Sequence, residues 1–318
     1  MKTLKLKIVA LLALLPLATG MAFADNEYGY SRMFVFGASY LDSGNNFAVT
    51  GETAHPPFDP MSLASYGIGG HHYSNGRTWV EVMAQDMGLT EWAKPAYRDP
   101  AYGNYAYGMS RARDVEYATG PSLGEQVQAW IDNGYCTGVA MNHTLFVMDS
   151  TYYDIIDIFE GGDPMEILGG MLDSIATNIY ILHGCGARNL LVANTGPWGA
   201  GPSVPEELKA ATTGLSWQYN VYLQEVLDIF SGEPFNMNIS TFDFFGIVTD
   251  VWTAPEAFGF TTVTETCVTY GVLKDAYCDN RDEYIWWDAL HPTKKFHALL
   301  AEAALGQLPV LGQLPDPD

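Results

Sequence analysis

The chain has 318 residues and a formal charge of −22 at pH 7, from 37 acidic and 15 basic side chains. So acidic a surface repels phosphate backbones and anionic lipid, which excludes nucleic acid and charged membrane faces as main partners. The apolar share, 48 %, is enough to build one large core in a domain of this length.

The first 24 residues read as an export signal. Lys2, Lys5 and Lys7 form a basic start, Ile8 to Leu17 an apolar core, and Ala22-Phe23-Ala24 a small-residue cleavage site. Pro16 and Gly20 break the apolar run, which is short for a membrane anchor. No later run is apolar enough to span a membrane. The expected product is an exported chain, periplasmic or extracellular, cut near Ala24 and folding as a single domain over residues 25–318, with no stable membrane insertion.

After that signal, strands and helices alternate. A β-forming run at Arg32–Phe36 ends in a turn rich in Gly, Ser and Asn, which places Ser39 just past the strand. An irregular stretch over residues 44–74 follows, and Asn75 is placed to cap a helix carrying Trp79, Val80, Met83 and Met87, with Gly88 as its stop. A short second strand is expected at Asn104–Tyr107, closed by Gly108. Ser122 caps a helix with Leu123, Val127 and Trp130 on one face. Thr144–Met148 is the third strand, and Ile167–His183 a helix ending at glycines. Asn189–Ala193 is the fourth strand, Thr213–Phe230 a helix, Asn238–Phe242 the fifth strand. Residues 244–287 are loop-rich, Thr293–Leu305 is a closing helix, and the tail from Pro309 is expected to fray. Strands alternating with helices argue for a parallel sheet covered on both faces, with its carboxyl edge as the ligand-binding edge.

Four cysteines in an exported chain favour disulfides. Cys267 and Cys278 are near in sequence and flank a Tyr270-Gly271 loop, so they pair first. Cys136 and Cys185 then either pair with each other or stay as buried thiols. No CxxC pair or Cys/His cluster suggests zinc, and His71-His72 has no evident third ligand, so no metal and no cofactor are implied.

A serine hydroxyl is a poor nucleophile until a base takes its proton. The best base lies some 250 residues on, in Trp287-Asp288-Ala289-Leu290-His291-Pro292. A spacing of three lets one loop supply both the base, His291, and the acid that orients it, Asp288.

Five stretches, in one order over nearly the whole mature chain, make the sequence similar to the SGNH/GDSL family of serine esterases and lipases, in particular its secreted bacterial branch. They are Phe36-Gly37-Ala38-Ser39-Tyr40 with Asp42-Ser43-Gly44-Asn45, Ser74 to Glu81, Asn104 to Gly108, Gly186 to Val192, and Asp288-Ala289-Leu290-His291-Pro292. The resemblance implies a three-layer α/β/α sandwich with a central five-stranded parallel sheet. It implies Ser39 as nucleophile, His291 as base and Asp288 as its partner, with the N–H groups of Ser39 and Gly108 facing the oxyanion. Two positions depart from the family pattern. Ala38 stands where Asp usually precedes the serine. Tyr153 stands where the third block carries an Asn that donates to the oxyanion; losing one such donor costs about 10²–10³ in turnover, and a tyrosine hydroxyl can donate in its place from a longer, stiffer arm. Asp149 and Asp154 flank that block as caps or substrate ligands. Tyr40 and Trp286 are the candidate substrate-binding side chains. The resemblance points to hydrolysis of a lipid ester, an acetylated glycan or a small ester. The same residues also suit an acyltransferase, and the changed third block suits a binding module on the same fold.

Overall fold

The computed structural model describes residues 27–50, 70–150, 153–269 and 276–311. The stretch read as an export signal, most of the irregular stretch and the last seven residues lie outside them. In chain order the elements are β1 (Arg32–Phe36), α1 (Asn45–Thr50), α2 (Trp79–Asp86), α3 (Leu123–Asp132), β2 (Thr144–Asp149), α4 (Asp154–Phe159), α5 (Pro164–Cys185), β3 (Asn189–Ala193), α6 (Glu206–Ser231), β4 (Asn238–Phe242), α7 (Phe244–Thr253), β5 (Thr262–Thr266), β6 (Tyr284–Trp286) and α8 (Lys294–Leu305).

β1 to β4 form one parallel sheet in sequence order, with Val35, Val147, Leu191 and Ser240 in one row. Strand side chains alternate between faces, and here both faces are apolar. Met33, Val35, Leu145, Val147 and Leu191 pack against α2, α7 and α8. Phe34, Phe36, Phe146, Met148, Leu190 and Val192 pack against α3, α5 and α6. Burial on both faces is what makes these strands unbroken apolar runs. The result is the expected α/β/α layering, with the carboxyl ends of the strands along one edge.

Among the described residues the sheet has four strands, one fewer than expected. Residues 103–107 do run beside β1: Val35 donates to the Gly103 carbonyl, and Tyr105 and Tyr107 donate to the carbonyls of Val35 and Gly37. The segment makes only isolated bridges at Asn104 because the Gly37 N–H that would meet the Tyr105 carbonyl goes to the Gln126 side chain; the Asn104 side chain accepts from Ala106 N–H and donates to the Leu41 carbonyl. Asn45 Nδ2 donates to the Asn104 and Ala106 carbonyls, both at 2.8 Å. A side-chain amide thus covers the edge that a further strand would need.

Other boundaries moved for identifiable reasons. Thr78, not Asn75, caps α2, in a capping box with Glu81; Asn75 Oδ1 instead accepts the Lys294 N–H that opens α8. α5 starts earlier than expected, with Pro164 in its first turn and Asp163 accepting from Met165 and Glu166. α6 starts at Glu206, behind Pro205 and with two glutamates in its first turn. Residues 244–287 hold α7 and the small parallel β5–β6 sheet. The start of the tail is anchored: Tyr30 donates to the Pro309 carbonyl and Asn238 to that of Val310. Both cysteine pairs, 136–185 and 267–278, are disulfide-bonded. No helix among the described residues is long and apolar enough to cross a membrane.

α2 and α8 meet through a buried histidine. His297 Nδ1 accepts the N–H of Trp79 at 3.1 Å, a bond that requires the neutral ring. Burial, then the nearby His72 and His291, hold its pKa down to about 3. In the unfolded chain this ring takes a proton near pH 6.5, so the unfolded state binds more protons over that window. Stability from this site is full above about pH 6.5 and falls as pH drops toward about 3. His297→Asn, which keeps an acceptor for Trp79, is expected to remove a stability slope of about 1.4 kcal/mol per pH unit. Urea unfolding of both proteins at several pH values between 4 and 7 measures it; equal slopes would contradict the assignment.

Candidate active site

Ser39 sits in a single helical turn immediately after β1, where Leu41 and Asp42 both donate to the Ala38 carbonyl. Gly37 is gripped from the other side by the buried Gln126 side chain, which accepts its N–H and donates to its carbonyl, each at 2.9 Å. A Cβ on Gly37 would lie 2.8 Å from that of Asp149, so the turn is pressed against the end of β2.

His291 arrives on the loop between β6 and α8. Asp288 Oδ1 accepts the N–H of Leu290 at 2.8 Å and of His291 at 2.7 Å, which closes the loop into a tight turn. The same carboxylate lies 2.9 Å from His291 Nδ1, and His291 Nε2 lies 2.8 Å from Ser39 Oγ. Both Asp288 and His291 are buried. The three residues read from sequence are therefore brought into one hydrogen-bonded line. With Nδ1–H turned to the carboxylate, Nε2 is left as the lone-pair nitrogen facing the serine.

The histidine loop is held from three sides. Tyr40 donates to the Leu290 carbonyl at 2.6 Å, and burial keeps its hydroxyl protonated far above the ordinary tyrosine range. Ser74 donates to the Pro292 carbonyl. The Tyr73 ring stacks on His291 at 5.0 Å and 18°, and its hydroxyl accepts from Asn46.

Asp42, not singled out in the sequence, ties these parts together. Its buried carboxylate accepts the N–H groups of Gly44 and Asn45 on Oδ1 and of Asn46 and Gly108 on Oδ2, at 2.7 to 3.1 Å. Burial pushes this carboxyl up, and the four N–H donors pull it back down.

That network corrects one expectation. The N–H of Gly108 is spent on Asp42 and does not face the serine. Glycine is needed there for another reason: a Cβ would lie 2.3 Å from the Tyr73 ring. The next residue, Met109, has a left-handed backbone, φ 66°, and lines the same cleft as Ser39. Neither the Ser39 nor the Met109 N–H donates to any described residue.

The cleft at Ser39 and His291 is lined by Met109, Tyr153, Ile155, Ile156, Phe159, Trp198, Phe244, Val248, Trp286 and Leu290. Both candidate substrate-binding residues line it, although Tyr40 is bonded to the histidine loop and the Trp286 indole donates to the Val263 carbonyl. Tyr153 opens α4. Its N–H donates to the Ser110 carbonyl and its ring lies under the Arg111 guanidinium at 5.1 Å. Burial raises its hydroxyl pKa, and that hydroxyl bonds no described residue. Asp154 is structural: it accepts from Ala112 N–H and pairs with Arg113, both at 2.6 Å. A second correction concerns His71-His72, which does have a third potential ligand. The capping turn of α2 brings Glu81 beside the pair, a proximity that spacing in sequence does not reveal.

Known proteins resemble this chain over most of its length. GDSL esterase/lipase 6 of Arabidopsis thaliana is 24 % identical over 92 % of this chain and 91 % of its own length. GDSL esterase/lipase EXL2 of the same plant is 23 % identical over 85 % and 86 %. Among solved structures, a GDSL-like lipase from Parabacteroides merdae aligns over 87 % of this chain and 95 % of its own, with a TM-score of 0.45 and 10 % identity. Residues 33–304 match the model of the GDSL-like Lipase/Acylhydrolase family, and the chain belongs to that family of ester hydrolases.

Proposed function

We propose that the protein is an exported serine esterase that cleaves carboxylic esters bearing an apolar acyl chain. The observation that carries this reading is the continuous hydrogen-bonded line Ser39–His291–Asp288 at the floor of an apolar cleft. In this reading Ser39 Oγ attacks the ester carbonyl carbon as His291 Nε2 takes its proton. Asp288 holds the imidazolium that forms. The oxyanion is met by the N–H groups of Ser39 and Met109, with the Tyr153 hydroxyl as a third donor from the cleft wall. The tetrahedral intermediate collapses, His291 gives its proton to the leaving alcohol, and water then releases the acyl group by the same steps in reverse order. The acyl chain lies against Met109, Ile155, Ile156 and Phe244. Two disulfides suit an oxidising compartment, consistent with the export signal read in residues 1–24.

Hydrolysis of p-nitrophenyl esters by the mature protein tests the reading. Ser39→Ala is expected to lower kcat by at least about 10⁴-fold. Tyr153→Phe is expected to lower it by about tenfold, less than the loss of an aligned amide donor, because its ring delivers the hydroxyl from a different direction. Absence of wild-type turnover on every chain length would overturn the reading. Met109→Gly keeps the N–H and removes the wall side chain. It is expected to shift preference toward longer acyl chains, raising relative kcat/KM about fourfold per extra methylene accommodated. An unchanged chain-length profile would remove Met109 from the acyl wall.

A further inference from the structure

A second cluster of ligating side chains lies behind the histidine loop. His71, His72 and Glu81 each offer a ligand atom, and these atoms lie within 4.8 Å of one another. The two imidazoles sit side by side, ring centroids 4.1 Å apart. His72 Nε2 is buried and makes no hydrogen bond, although Glu81 Oε2 is 2.7 Å away. The Glu81 carboxylate is oriented from behind: Thr78 donates to Oε2 from its N–H at 2.9 Å and from its hydroxyl at 3.0 Å. An oriented carboxylate in contact with a buried imidazole, with an exposed imidazole beside it, turns three potential ligand atoms toward one point.

We propose that His71, His72 and Glu81 bind a divalent transition-metal ion, with zinc the best match. Two neutral imidazoles and one carboxylate suit zinc in ligand hardness, and hard oxygen-seeking cations such as magnesium and calcium disfavour such a set. Ligand atoms about 2.1 Å from a common ion stand about 3.4 Å apart in a tetrahedral arrangement. Reaching that from the present spacing takes roughly an ångström of movement: the exposed His71 ring closes in, and His72 and Glu81, now 2.7 Å apart, open slightly. The solvent side of His71 leaves room for water as the remaining ligand. The Thr78 donors then act as the outer hydrogen bonds that hold a ligating carboxylate in place.

The site sits where an ion would stiffen the catalytic loop. His71 lies over Gly44, where a Cβ would stand 2.6 Å from its ring, and Gly44 donates to Asp42. The next two residues are Tyr73, stacked on His291, and Ser74, bonded to Pro292. Tying 71 and 72 to α2 fixes the segment that carries both contacts. The ion is a staple for the fold of this segment and takes no part in ester chemistry, so its binding does not depend on the esterase reading.

Calorimetric titration of untagged, metal-stripped mature protein with zinc chloride tests this directly. One saturable site per chain is expected, retained in Ser39→Ala. His71→Ala, a change at an exposed residue, and Glu81→Gln, which keeps a side-chain acceptor for the helix cap, are each expected to weaken binding at least about tenfold. Saturating zinc is also expected to raise the Tm of the wild type and not of His71→Ala. Equal affinity in wild type and His71→Ala, or no saturable binding up to about 1 mM, would overturn the site.

Discussion

The buried carboxylate of Asp42 is the constraint on which the site depends. It draws four backbone N–H groups onto two oxygens, three from the start of α1 and one from Gly108. A buried carboxylate is costly unless it is fully hydrogen-bonded, so the chain around it has one low-energy arrangement. That arrangement ties the serine turn to the segment after Asn104. It spends the Gly108 N–H and leaves that of Met109, a residue lining the cleft, without a described acceptor. The left-handed backbone of Met109, costly for a residue with a side chain, follows from where Asp42 holds its neighbour.

The base is positioned by a different device. Asp288 uses one oxygen to close its own turn and both to face the imidazole. Its role as loop former and its role as partner of His291 are therefore inseparable. Tyr40, next to the serine, donates to the loop that carries the histidine, and Tyr73 covers the face of the ring. The serine side and the histidine side are thus cross-braced by residues in contact with the histidine loop. Such bracing holds catalytic distances to within tenths of an ångström.

Much of this was legible in the sequence, and the parts that were not have physical causes. β1 and β3 match their expected limits because apolar runs bounded by Gly, Pro and polar residues signal buried parallel strands; β4, a half-buried edge strand of mixed composition, matches through its β-branched residues. Ser39, Asp288 and His291 could be singled out from local spacing and the order of the blocks, and the structure brings the three side chains together. Asn104–Tyr107 was read as a strand and does run beside β1, but its ladder is cut short where the Gln126 side chain from α3 takes the Gly37 N–H, a contact that local pattern does not reveal. The starts of α5 and α6 were set by Asp163 and by Pro205, weaker signals than the apolar face. The Met109 backbone and the approach of Glu81 to His71 and His72 leave no trace in local pattern, because both follow from tertiary contacts. Asp42 did carry a signal, an Asp followed by Ser-Gly-Asn, the composition of a side-chain-capped turn.

The central claim is that Ser39 is made nucleophilic by His291. Intact-mass and peptide mapping after incubation with a p-nitrophenyl phosphonate tests it without knowledge of the natural ester. One adduct per chain, on Ser39, and none in the same time with His291→Ala is the predicted result. Labelling of a different residue, or no labelling of the wild type, would contradict the account.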